Sequence, residues 1–239
     1  MEKIVYLLWR DTKTGQEEFS LSLRTDVANK LLAIGARGLQ VNVADKAVES
    51  ASKLRQVNNS PPFDGFLSLW VDSAIEKLRR PFDDVIEAAV AGMAAYLVTE
   101  SQPICNTRYP SILGERTAGF SQLALLKRLP GLAPDAWLDI WHNHHTRVAI
   151  DTQDTFLYVQ NVVVRPLTDA APAYDAIVEE CFPAAAMTDP YAFFNAVGDE
   201  DKFQRNVGAM MESCRRFIDL DKIDVMPNSQ YIIKTPAAR

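Results

Sequence analysis

All three histidines of this 239-residue chain lie in one tetrapeptide, His142-Asn143-His144-His145. An imidazole at the rim of an apolar pocket is neutral near pH 7 and can take a proton and return it, so this cluster leads the candidates for chemistry. A helix is expected from Pro134 to about Thr146, with the histidines at its C-terminal end. On a helical wheel Trp137, Ile140, Trp141, His144 and Val148 share one face, His145 flanks it, and His142 points mostly outward. A helix C-terminus also favours a protonated histidine through the macrodipole, and His144 could be a satisfied core residue. His145 ranks first as a functional group, then His144, then His142. No His-Glu-x-x-His or Cys-His spacing accompanies them, so no metal site is expected. Cys105, Cys181 and Cys214 are odd in number and widely spaced, which fits neither a disulfide framework nor a thiolate metal site.

The elements that position this cluster follow from periodicity. Ile4 to Trp9 reads as a buried strand. Thr14 and Glu17 match a capping box, and Phe19, Leu23, Val27, Ala28 and Leu31 then recur at helical spacing up to Gly35. Leu39, Val41 and Val43 alternate with polar residues, as in a half-exposed strand. Val48 to Pro62 is a connection, Phe66 to Val71 a strand, Phe82 to Met93 the apolar face of a helix, and Ala95 to Ser101 a fourth strand. The second half supplies the same order. Strands are expected at Gly119 to Arg128, Phe156 to Val164, Ile177 to Phe182 and, edge-compatible, Tyr231 to Lys234. Helices fall at Pro134 and at Lys202 to Phe217, with an insertion around Asp189 to Phe194.

Two local echoes keep the same order in both halves: Glu17-Glu18-Phe19 with Asp135-Ala136-Trp137, and Phe63-Asp64-Gly65 with Tyr174-Asp175-Ala176. The fold class expected is therefore α+β, two tandem ferredoxin-like β-α-β-β-α-β units. Residues 1–110 form a degenerate, structural N-terminal unit and 115–239 the unit with the candidate site. A ferredoxin-like sheet carries both helices on one face and leaves the other bare, so each unit needs a partner sheet, which the second copy supplies.

Composition narrows the function classes. A formal charge of −6 argues against a nucleic-acid partner, because that affinity rests on Lys and Arg neutralising phosphates. The apolar run Ile4 to Trp9 is too short for a signal peptide or a membrane span, so no membrane partner and a cytoplasmic location are expected.

The second half resembles the EthD family of the dimeric α+β barrel superfamily. The resemblance rests on Leu125-Leu126-Lys127-Arg128, Leu132-Ala133-Pro134-Asp135-Ala136-Trp137, Trp141-x-x-x-His145 and Tyr158-Val159-Gln160-Asn161. It runs from about Phe120 to Lys234. Two departures are Thr146-Arg147, where the family has a small residue and Pro, and Val162, where the strand often ends in His. In the first half Phe19, Leu23 and Val27 hold the equivalent spacing, with an aliphatic residue at the imidazole position.

The resemblance implies that the two sheets pack into an α+β barrel, with a hydrophobic, aromatic or polyketide-like small molecule held between sheet and helices. It also implies a cofactor-independent lyase or isomerase with His145 as general acid or base. Trp141 would wall the pocket, although a core Trp is the plainer explanation. Tyr158 and Asn161 would orient a substrate oxygen or else face solvent. Arg165 and Arg147 are candidates for an acidic substrate group, surface charge being the competing reading. Two alternatives remain open: a non-catalytic binding or accessory protein for an apolar metabolite, and a haem-handling barrel with His144 or His145 as axial ligand. A monomer could be complete, and a homodimer is compatible with the pattern.

Overall fold

Strand alternation sorts the apolar residues onto two surfaces, and those surfaces explain the architecture of the computed structural model, which describes residues 1–59, 61–169 and 171–236. The chain runs β1 (Glu2–Trp9), α1 (residues 16–33), β2 (Gly38–Val43), a 3-10 helix (Lys46–Leu54), β3 (Gly65–Val71), α2 (Glu76–Glu87) and β4 (Gly92–Ile104). It continues β5 (Phe120–Leu126), α3 (residues 134–152), β6 (Leu157–Pro166), β7 (Ala176–Phe182), α4 (Pro190–Phe193), α5 (Glu200–Arg215) and β8 (Asp224–Lys234). All eight strands close into one antiparallel barrel in the order β1-β3-β2-β8-β5-β7-β6-β4. The first four strands thus neighbour as β4-β1-β3-β2 and the last four as β8-β5-β7-β6, joined at β2–β8 and β4–β6. Residues 237–239, the end of the expected C-terminal unit, and Ser60 and Ala170 lie outside the described residues.

In β1, Ile4, Tyr6 and Leu8 face the helices and pack with Phe19, Leu23 and Val27 of α1 and Phe82 and Ile86 of α2. Val5 and Leu7 point the other way, into the barrel, where they meet Leu123, Leu125, Ile177 and Met226 from the other half of the chain. A third apolar cluster joins β5–β8 to α3 and α5 through Trp137, Trp141, Val178, Met210 and Phe217. Closing the barrel removes the sheet edges and covers the bare face of each four-strand set with the other.

Three local expectations are corrected. β2 is buried along its whole length, not half-exposed. Leu39, Val41 and Val43 face the helices, while the alternating polar residues Gln40 and Asn42 turn into the barrel and donate to the Glu179 carboxylate at 2.8–3.0 Å. β8 begins at Asp224 and pairs with β2 on one side and β5 on the other, so it is not an edge. No capping box starts α1: Gly15 is the N-cap, and the Glu17 carboxylate instead accepts from the Lys46 backbone N–H at 2.8 Å.

The echoed aspartates do the same work in both halves. Asp64 precedes β3 and accepts the N–H of Arg10, just past β1, at 3.0 Å. Asp175 precedes β7 and accepts the N–H of Arg128, just past β5, at 2.9 Å. No helix among the described residues is long and apolar enough to cross a membrane.

Candidate functional site

Pro134 at the first turn and Asp135 beside it start α3, where a missing N–H costs nothing and an acidic side chain suits the helix N-terminus. The helix does not stop near Thr146. It continues to Thr152, so the histidines lie in its middle and cannot be C-terminal caps.

They occupy a π-helical turn, Ile140–His145, in which the N–H of Thr146 reaches back five residues to the Trp141 carbonyl. The Thr146 hydroxyl donates to that same carbonyl at 2.9 Å. The wider turn delays the rotation of the side chains, so a residue four positions on stays on the same face. His145 therefore joins Trp137 and Trp141 on the inner side, at 7% exposure, and the regular-helix expectation that His144 faces inward is corrected. The His144 side chain is 54% exposed, with Nε2 3.7 Å from the Asp139 carboxylate. α1 carries the same irregularity, a π turn over Leu23–Val27, and buries Val27 at the matching position.

Beneath His145 lies a cavity of about 360 Å³ between the outer face of β5–β8 and helices α3 and α5. Its lining is mostly apolar, including Trp141, Val178, Phe194, Met210 and Ile223. A polar row crosses its floor, because Tyr158 of β6, Glu180 of β7 and Gln122 of β5 are directly opposed in register. The Tyr158 hydroxyl accepts from Trp141 Nε1 at 3.1 Å and from Gln160 Nε2 at 3.0 Å, and burial with the nearby Glu180 charge raises its pKa.

His145 Nδ1 and the Ser213 hydroxyl of α5 are 2.9 Å apart, and the imidazole packs on Phe217 with ring centroids 4.7 Å apart. Burial lowers the imidazole pKa to about 4, so His145 is neutral at physiological pH. Glu180 is half-buried and lines the cavity, and burial pushes its carboxyl up to about 7. Among the described residues no compensating cation or hydrogen bond lowers it again. The Cys214 thiol on the same wall is held at about 12, first by burial and then by the Glu180 charge, so it stays protonated.

The structure brings His145, Tyr158 and Trp141 together and leaves the other sequence candidates elsewhere. Asn161 follows Gln160 on β6 and so turns to the opposite face, where Nδ2 donates to the Ile177 carbonyl at 2.9 Å. His142 packs against Trp141 at 5.0 Å, off the cavity wall, with Nε2 buried and without a hydrogen-bond partner among the described residues, and its pKa is lowered by burial. Arg165 is exposed near the end of β6, and Arg147 is exposed and paired with Asp151 at 2.6 Å. Sequence reasoning missed Glu180, Gln122 and Ser213. For Glu180 a signal existed: in β7 it shares its face with Ala176, Val178 and Phe182, an acid in an otherwise apolar row.

One solved structure shows the fold. A protein described as "anthrone oxidase-like" matches with a TM-score of 0.56 at 12% identity, over 99% of this chain and 95% of that one. Two structures described as "Putative monooxygenase" follow. The one from Fusobacterium nucleatum subsp. nucleatum has a TM-score of 0.49 at 11% identity, covering 98% of this chain and 92% of that one. The one from Lactobacillus acidophilus NCFM has 0.47 at 8% identity, covering 98% and 96%. No curated protein matches the chain. Residues 129–221, which span α3, the π turn, β6, β7 and α5, match the family described as EthD domain.

Proposed function

We propose that the chain binds an apolar, aromatic small molecule in the cavity beneath α3 and acts on it as a cofactor-independent lyase or isomerase. The observation that carries this reading is Glu180, a carboxyl held at about 7 in an apolar cavity that it shares with a neutral imidazole. A general acid or base works best when its pKa lies near the operating pH, and Glu180 meets that condition better than His145 does.

In this reading the Glu180 carboxylate removes a proton from a carbon next to a carbonyl. The C–H electron pair forms the enolate, whose oxygen takes the negative charge. The Ser213 hydroxyl donates a hydrogen bond to His145 Nδ1, which leaves the Nε2–H of the neutral imidazole free to donate to that oxygen. Return of the proton from Glu180 to another carbon gives an isomer; its delivery to a leaving group on the β carbon, as that bond breaks, gives an alkene and a lyase outcome. Tyr158 and Trp141 shape the wall against which the ring lies.

We also read the chain as two tandem ferredoxin-like units, 1–110 and 115–239. Supporting this are the matching strand orders β4-β1-β3-β2 and β8-β5-β7-β6, the paired π turns, and the equivalent bonds of Asp64 and Asp175. Only the second unit carries the imidazole.

The test uses 2-tetralone, an enolisable aromatic ketone, in D₂O, with exchange of its α protons followed by NMR and its binding by quenching of the Trp fluorescence. Exchange above the buffer rate is expected for the wild type, with a loss of at least about 100-fold in Glu180→Gln and unchanged binding. Saturable binding without exchange would leave the non-catalytic binding protein as the reading.

A further inference from the structure

We infer that the cavity at Glu180 is the inner half of a longer site, completed by the first half of the chain, for an elongated aromatic ligand with an anionic group at its far end. This rests on the proposed site and names its ligand class.

A second cavity, of about 420 Å³, shares Gln56, Gln122, Phe193, Phe194 and Val225 with the first. The two therefore adjoin along these residues, and each lies in the range of small-molecule sites, about 300–1,000 Å³. The outer cavity is enclosed by the 3-10 helix Lys46–Leu54 and by the segment that leads into α4. Both walls are anchored. Val48 and Ala51 pack with Phe182, Ala186 and Met187, and Gln56 makes a two-hydrogen-bond bridge to Val225 of β8, at 2.9 and 3.0 Å. Here the first half contributes lining residues directly to the site of the second.

The charges at the two ends differ. Lys53 is the charged residue of the outer lining, is exposed, and forms no ion pair among the described residues. The inner lining holds Glu180 and no Lys or Arg. A ligand with one anionic end is thus oriented: inward, the anion would be desolvated beside a carboxyl, whereas outward it stays hydrated and meets an ammonium. Its uncharged ring end is then delivered to Glu180 and His145.

Two probes share one ring system and differ in charge: 1-anilinonaphthalene-8-sulfonate and N-phenyl-1-naphthylamine. At low salt the wild type is expected to bind both saturably and the sulfonate more tightly. Lys53→Glu should weaken the sulfonate about fivefold or more and leave the neutral probe within about twofold. Thr188→Trp, which fills the outer cavity, should weaken both. Equal wild-type affinity for the two probes, an equal effect of Lys53→Glu on both, or no saturable binding would overturn the extended site. The readout is binding alone, so absence of proton exchange with the charge preference intact would count only against the proton-transfer reading.

Discussion

Tyr158 of β6 and Glu180 of β7 stand directly opposite each other across the antiparallel ladder, on the face that α3 and α5 cover. Opposed side chains on one sheet face have Cβ atoms about 4.5–5.5 Å apart, and the Glu180 charge adds to burial in opposing ionisation of the Tyr158 phenol. Neutral, the pair lies in an apolar cavity at modest cost; with Glu180 ionised, the same surroundings oppose the charge.

Glu180 therefore couples stability to pH. Its folded pKa, about 7, lies above the ordinary 4.5, so the native state holds the extra proton between those values. The stabilisation it provides is present below about pH 4.5 and is lost as pH rises through 7. Urea unfolding should show Glu180→Gln equal to the wild type near pH 4.5 and more stable by on the order of 1–3 kcal/mol at pH 8.

His145 acts with the opposite sign. Its folded pKa of about 4 lies below the ordinary 6.5, so the unfolded chain takes the proton first as pH falls. Stability should drop between pH 6.5 and 4, and His145→Gln should flatten that drop in unfolding curves at pH 6.5 and 4.5. Ser213→Ala removes the partner of Nδ1, and α-proton exchange should slow about tenfold, with a stability loss of about 1–3 kcal/mol from the unpaired buried nitrogen in urea unfolding.

Glu179 and Glu180 are neighbours with opposite surroundings. Glu179 is 4% exposed, and its carboxylate accepts from Gln40, Asn42, Ser121 and Gln230 at 2.8–3.0 Å. Glu179→Gln would set an N–H₂ group against donors already aimed at that position. A loss of at least about 2 kcal/mol is expected by denaturant unfolding, in contrast to the gain from Glu180→Gln above neutrality.

Gly119 leads into β5 with φ of 84°, and a Cβ there would lie 2.1 Å from the Phe182 carbonyl oxygen. Gly119→Ala meets both left-handed strain and a backbone clash. It should cost more than about 2 kcal/mol in thermal unfolding, whereas Gly208→Ala, with open space around it in a helix, should be neutral or stabilising.

Much of the frame was legible because short-range periodicity encodes it. Ile4 to Trp9, Phe66 to Val71 and Ile177 to Phe182 are strands where the apolar runs place them. Trp137, Trp141 and His145 share a buried face, whereas a regular wheel put His144 there and His145 at its flank, because a π turn leaves no mark in composition. Polar residues misled for a related reason. Gln40 and Asn42 looked solvent-facing, yet they meet Glu179 inside a barrel whose closure depends on pairing strands far apart in sequence. Glu179 and Glu180 each sit in an otherwise apolar row of β7, and which of the two faces the cavity depends on which sheet face the helices cover.

The central claim, that Glu180 carries the proton, is tested most directly by the pH profile of α-proton exchange in 2-tetralone. For the wild type the rate is expected to rise with pH and level off with an apparent pKa near 7, and Glu180→Gln should remove both the rate and the inflection. A wild-type profile without an inflection near neutrality, or one that Glu180→Gln leaves unchanged, would contradict it.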